Sequence, residues 1–408
     1  MAGTIQSLIL TPPSIVTSPF PCRKTCCLFS RSLRINPPRR SISTLIISCK
    51  PSDEIHGSDL ANGLNWTKTL MNFASNNFLP LAALTSGVAF GLVNPTLGCL
   101  ADKCNLSKFS TFGIFVVSGL TLRSDAIGAA VKAWPVGLFG LCSILFFTPY
   151  FSRIILLIPL QPQEFVTGLA IFSCMPTTLS SAVALTQLAG GNSALALAMT
   201  VLSNLLGILI IPFSISKFIA VGVGVYVPTA QLLKSLVLTL LVPLILGKVL
   251  RESSRGLANF VDHNRKLFSK INAVFLSLVP WMQVSRSRSL LMMVKPAAFI
   301  VAIGMGMLLH LGLLAFNALA IRSLSAISGG HKSIFSKKEN AQAALLVASQ
   351  KTLPVMVAVV QQLGSAFGES GLLVLPCVAA HLIQIVLDSF LANFWLQKEL
   401  SSNTAKVA

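Results

Sequence analysis

The sequence predicts an all-α membrane protein: ten transmembrane helices in two inverted five-helix repeats with crossed, broken helices. Three observations predict it. The chain has 408 residues, of which 53% are hydrophobic and only 11% charged, with a mean hydropathy of +0.77, a composition suited to lipid. Apolar segments recur near 77–97, 107–122, 134–158, 164–189, 192–215, 231–250, 267–284, 295–321, 340–363 and 371–397. The fourth and ninth are each interrupted by a proline in a polar cluster, at matching places in two five-segment halves. An odd number of spans per half inverts the second half relative to the first.

Residues 1–50 carry seven basic residues (Arg23, Lys24, Arg31, Arg34, Arg39, Arg40, Lys50) and no acid. They are rich in Ser and Thr, and Pro12, Pro13, Pro19 and Pro21 interrupt any apolar core. A secretory signal needs an unbroken apolar stretch, so the composition fits an organellar transit peptide, plastid rather than mitochondrial, cleaved near 47–50. A disordered tail is the alternative. Residues 51–76 read as a polar lead-in, 77–397 as the transporter domain and 398–408 as a C-terminal tail.

Without the leader, 24 basic residues face 12 acidic ones, mostly in short loops. Arg251, Arg255, Arg265, Lys266 and Lys270 lie after segment six, and Arg322, Lys332, Lys337 and Lys338 after segment eight. Both loops fall on the side of the termini, which places the termini inside, in the stroma of a plastid. No soluble basic face with interleaved aromatics is present, so nucleic acid is excluded as a partner; the partners expected are a lipid bilayer and a small-molecule substrate. Cys99, Cys104, Cys142, Cys174 and Cys377 form no Cys-x-x-Cys, so neither a disulfide framework nor a bound metal is expected.

The fourth segment holds Pro176, Thr177, Thr178, Ser180 and Ser181. Proline cannot donate its N–H and clashes with the preceding turn, so the helix breaks there. A break at membrane depth frees backbone groups that survive only inside protein or against a water-filled cavity. The hydroxyls can serve such a cavity; a Ser/Thr-rich packing helix is the alternative. The fifth segment adds Thr200 and Asn204. The ninth answers the fourth with Ser349, Gln350, Lys351 and Thr352 before Pro354. Two broken helices then cross near the midplane, braced by segments three, five, eight and ten.

Lys351 is the most informative residue. An intramembrane lysine costs on the order of 3 kcal/mol by insertion and persists only if paired, hydrated or useful. In segment ten, Asp388 either pairs with it or lies at the helix end. His310 and His381 read as hydrogen-bonded helix residues rather than metal ligands.

The Pro-Thr-Thr-Leu-Ser-Ser stretch, the Gly-Gly-Asn after it and Thr200 before Pro212 resemble the bile acid:sodium symporter family. Ser349-Gln350-Lys351-Thr352-Leu353 and the His381-x-x-Gln384 pair resemble its divergent branch. With the leader, the chain is similar to the family's plastid members, sodium/metabolite cotransporters of the chloroplast envelope. The resemblance implies a core-and-panel bundle. It also implies sodium ligands, only partly matched here. Ser181, Thr200 and Gln350 are kept. The family's Asn after Ser181 is Ala182, its fifth-helix Ser is Ala196, its Glu falls at Leu346, the Asn beside Gln350 is Lys351, and its third-helix Gln is Ile144. No cofactor is expected, and sodium is a coupling ion whose ligand set is incomplete.

The function expected is secondary transport of a metabolite, an organic anion, across the chloroplast envelope, sodium-coupled by resemblance. The alternative is a sodium-independent, proton-coupled carrier or cation/proton exchanger using Lys351, whose ammonium would stand in for a bound sodium. An enzyme is not expected. The six Asp residues are scattered with no Asp-x-x-x-Asp, and the Gly-x-Ser-Gly serine that a rhomboid-type protease pairs with a histidine is not expected.

Overall fold

A computed structural model describes residues 82–122, 131–364 and 366–407. The transit peptide, its cleavage point and the lead-in lie outside the described residues. Among the described residues there is helix and no strand.

The helices in chain order are α1 (Ala82–Val93), α2 (Pro95–Lys103), α3 (Leu106–Thr121), α4 (Trp134–Leu156), α5 (Gln163–Ser173), α6 (Ser181–Leu188) and α7 (Ser193–Val223). They continue with α8 (Thr229–Ser253), α9 (Arg255–His263), α10 (Arg265–Arg286), α11 (Pro296–Ile327), α12 (Lys338–Ser349), α13 (Leu353–Leu363) and α14 (Ser370–Val407). Among the described residues, seven helices are long and apolar enough to cross a membrane, counting α12 with α13 as one; α1 and α2, bent by 103°, make an eighth if taken together. The first segment is therefore not straight to residue 97. It turns at Asn94, where Pro95 opens a new helix because its missing N–H has no partner in a first turn. α14 runs to Val407, while its membrane-span candidate ends at Glu399, so the tail continues the helix beyond the span.

Proline acts differently at the two breaks. Pro176 lies inside the non-helical stretch between α5 and α6. Pro354 sits in the first turn of α13, and the gap is Gln350–Thr352 just before it. Pro354 thus starts a helix rather than interrupting one.

Packing separates a core from a second layer. α12 packs on α4, α6, α7 and α11, while α14 packs on α5, α6, α11 and α13. α3 packs on α8 and α10. Small residues set the closest approaches. A Cβ on Gly168 of α5 would stand 2.1 Å from the Leu373 carbonyl oxygen of α14. A Cβ on Gly119 of α3 would stand 2.2 Å from the Leu244 oxygen of α8. Apolar burial gives little drive between helices in lipid, so such contact is what holds spans together.

Candidate functional site

The two breaks meet. The Thr352 N–H donates to the Pro176 carbonyl at 2.9 Å, one backbone bond joining the gap in one half to the gap in the other. Each gap leaves peptide groups that a continuous helix would have paired, and buried peptide groups need partners. Side chains from neighbouring helices supply them. Asn204 Nδ2 donates to Thr177 O at 2.9 Å and to Thr200 O at 2.8 Å. Gln384 serves both backbone polar groups of one residue: its Oε1 accepts from Lys351 N at 3.0 Å, and its Nε2 donates to Lys351 O at 2.6 Å. His381 Nδ1 lies 3.3 Å from the same oxygen and 2.8 Å from Gln384 Nε2.

Lys351 is 1% exposed. Its Nζ donates to Thr148 Oγ1 at 2.5 Å and to Met175 O at 2.9 Å. Met175 follows the C-terminal end of α5, where unpaired carbonyls carry partial negative charge that a cation neutralises. The other half has a counterpart. At the C-terminal end of α12, Ser349 O lies 3.3 Å from His310 Nδ1, and His310 Nε2 lies 2.9 Å from Asp388 Oδ1. Each broken helix thus ends against a basic side chain.

Asp388 is buried at 0% exposure, well inside α14. It neither pairs with Lys351 nor lies at a helix end: its partners are His310 and Gln350, whose Nε2 donates to Asp388 Oδ2 at 2.7 Å. Lys351 Nζ is instead engaged by Thr148 and Met175. Gln350 Oε1 faces the first break, accepting from Thr178 Oγ1 at 2.6 Å and Ser181 Oγ at 3.0 Å. Ser349 Oγ accepts from Asn317 Nδ2 at 3.2 Å.

Of the predicted residues, Thr178, Ser181, Ser349, Gln350 and Asp388 share one hydrogen-bonded set with His310, and Lys351, His381 and Gln384 share a second. Asn204 holds the backbone oxygens of Thr177 and Thr200, and Thr352 holds Pro176. Ser180 is in none of these sets. It is exposed and lines a crevice of about 1010 Å³ between α6, α3 and α10, with Ser118, Thr121, Gln187, Arg265 and Asn272. That crevice opens at the end of the bundle that holds Asn192, Glu339 and Glu399, which are linked by Asn192 N to Glu339 O at 2.9 Å and by the Lys338–Glu399 pair. At the opposite end hydrogen bonds join the layers around a second pocket lined by Ser107, Gln283, Gln361 and Ser370. Gln361 of α13 donates to Ser107, and Thr111 Oγ1 donates to Gln361 Oε1 at 3.4 Å. Ser370 donates to Gln283, and Gly371 N donates to Ser287 Oγ at 3.1 Å.

Sequence reasoning missed Thr148, Asn317 and the crevice residues. Thr148 was visible as a hydroxyl in an apolar run. Arg265 was read only as loop charge. Reading for enzyme motifs also missed Gly368-Glu369-Ser370-Gly371, a Gly-x-Ser-Gly sequence. Ser370 is hydrogen-bonded to Gln283 and not to a histidine, so the nucleophile geometry is absent there.

The sodium ligand set can be tested on these side chains. Leu346, Ile144, Ala182 and Ala196, four positions where the resemblance puts oxygen ligands, are apolar and 0% exposed. A hard cation wants several oxygens, and four have gone. What is left is neutral: Thr177 Oγ1, Thr200 Oγ1 and Asn204 Oδ1 are buried without a hydrogen-bond partner among the described residues.

Apolar spans packed around two helices whose breaks meet, with Lys351 and Asp388 buried beside them, are features of a membrane transporter. The chain belongs to the SBF-like CPA transporter family, whose model matches residues 76–397. It is 62% identical over 397 residues to "Probable sodium/metabolite cotransporter BASS4, chloroplastic" of Arabidopsis thaliana, covering 90% of each chain. It is 62% identical over 337 residues to the protein of the same name in Oryza sativa subsp. indica, covering 83% of this chain and 79% of that one. It is 28% identical over 200 residues to "Sodium/bile acid cotransporter 7-A" of Xenopus laevis, covering 47% of this chain and 57% of that one.

Proposed function

We propose that this chain is a metabolite carrier of the chloroplast envelope with stromal termini. It moves an organic anion by alternating access, and a fixed ammonium does what bound sodium does in its relatives. The spans are α1, α3, α4, α5 with α6, α7, α8, α10, α11, α12 with α13, and α14, ten in two inverted repeats. The chloroplast is suggested by the names of the plant relatives and by the acid-free, Ser-rich leader. The observation that carries the reading is Lys351 Nζ on Met175 O and Thr148 Oγ1. The ammonium brings a permanent partner to the carbonyl end of α5, in a core that has lost the carboxylate position. The crevice against α6 is the substrate path. Arg265 and the Ser180 hydroxyl on its wall make it favourable to an anion, and the ties around Gln361 and Gln283 hold the layers together at the far end. Opening the far end requires breaking those ties while the crevice closes.

Sodium coupling is the second reading. It is favoured by the unpartnered oxygens of Thr177, Thr200 and Asn204 and by the relatives' names. Uptake into proteoliposomes from a panel of organic anions, with and without Na⁺, separates the two. Saturable uptake of an anion that Na⁺ leaves unchanged supports the fixed-charge reading. A steep Na⁺ requirement rejects it in favour of the second, and no uptake of any anion rejects both.

A further inference from the structure

Away from the crossing, a groove of about 1010 Å³ with its mouth opens between α11, the start of α12 and the last turns of α14. Its apolar wall is Ile321, Leu345 and the ring of Trp395. Its polar rim carries Arg322 and Lys398, both exposed and neither in an ion pair among the described residues, beside the Lys338–Glu399 pair at 2.8 Å. The rim therefore holds two positive charges in excess. A second observation points to a ligand. Gln342 lines the groove at 5% exposure, and both its amide nitrogen and its amide oxygen are buried without a hydrogen-bond partner among the described residues. A buried amide with neither end satisfied is costly unless something else supplies the bonds.

We infer that this groove binds one anionic membrane phospholipid. The position fits: Arg322 is near the C-terminal end of α11, Lys338 opens α12 and Lys398 is near the end of α14, so the rim is one end of three spans. Tryptophan with arginine and lysine at such an end marks the depth of lipid headgroups, and basic pockets between spans take anionic headgroups. The phosphate would lie between Arg322 and Lys398, an acyl chain along Ile321, Leu345 and Trp395, and the glycerol ester or hydroxyl oxygens on the Gln342 amide. A soluble anion would use the charges but leave the apolar wall bare and the amide unmet.

The test is native mass spectrometry of the full chain purified in detergent with an equal mixture of phosphatidylglycerol and phosphatidylcholine. Retention of phosphatidylglycerol over phosphatidylcholine is expected. It should fall about tenfold or more in Arg322→Gln/Lys398→Gln, since each basic residue near a headgroup contributes on the order of one tenfold step or less. It should also fall in Gln342→Leu, which keeps every charge. Arg153→Gln/Lys217→Gln, which removes the same charge elsewhere on the bundle, should leave retention unchanged and shows that loss of charge alone is not read. Equal retention of the two lipids, or retention unaffected by the rim variants, would overturn the proposal. So would a melting temperature raised as much by inorganic phosphate as by phosphatidylglycerol vesicles, which would make the groove a soluble-anion site.

Discussion

Lys351 and Asp388 are both sealed in the core, and each is held by different partners. The lysine is tied to the end of α5, the aspartate to His310 and Gln350. Removing a buried side chain that holds two others leaves both unmet, at about 1–3 kcal/mol for each stranded polar group. Asp388→Ala should therefore lower the melting temperature of the detergent-solubilised protein sharply; an unchanged melting curve would mean that His310 and Gln350 find partners without it. Lys351→Ala strands one carbonyl and one hydroxyl, a loss of about 1–3 kcal/mol for each. The protein should still fold and still insert, while uptake fails. That separation of folding from transport is what distinguishes a working charge from a structural one.

At the scale of elements, the two prolines make opposite predictions from similar sequence. Pro354 lies where a missing N–H costs nothing, so Pro354→Ala should change stability by under about 1 kcal/mol. Gly168→Leu should prevent assembly, because even a Cβ there meets the Leu373 oxygen at 2.1 Å and α5 cannot move without dragging the break. Expression and monodispersity after purification check both; a well-behaved Gly168→Leu would show that α5 and α14 separate freely. Much of this level was legible in the sequence. Spans announce themselves by long apolar runs, and the breaks by proline beside hydroxyls. The bend at Asn94 was not read, because a proline in an apolar run looks the same whether it kinks a helix or starts one. The partners of the freed peptide groups were partly legible. Gln384 was named through the family resemblance and Asn204 as part of the fifth segment, whereas Thr148, His310 and Asn317 acquire their roles only when distant helices pack.

The two ends of the described bundle differ. The crevice with Ser180, Arg265 and Asn272 lies at one, and at the other the bonds from Ser107, Thr111, Gln283 and Ser287 to α13 and α14 cross a second pocket. Weakening the ties should bias the carrier toward the opposite conformer. In Gln361→Ala/Gln283→Ala, a cysteine placed at Ser180 should be labelled more slowly by a membrane-impermeant thiol reagent than in the otherwise unaltered chain. Equal labelling would mean that the ties do not hold the conformer. The crevice was the part least legible in the sequence. It is built between layers from residues that each satisfy an ordinary helix position, such as Thr121, whose hydroxyl bonds back to Val117 O at 3.0 Å.

The central claim is that the Lys351 ammonium replaces sodium at the crossing. Flux of radiolabelled Na⁺ with the transported anion, in proteoliposomes at matched membrane potential, measures this most directly. The account predicts anion uptake with no accompanying Na⁺ in the wild type, and loss of uptake at every Na⁺ concentration in Lys351→Ala. Stoichiometric Na⁺ entry with the anion, retained in Lys351→Ala, would contradict it.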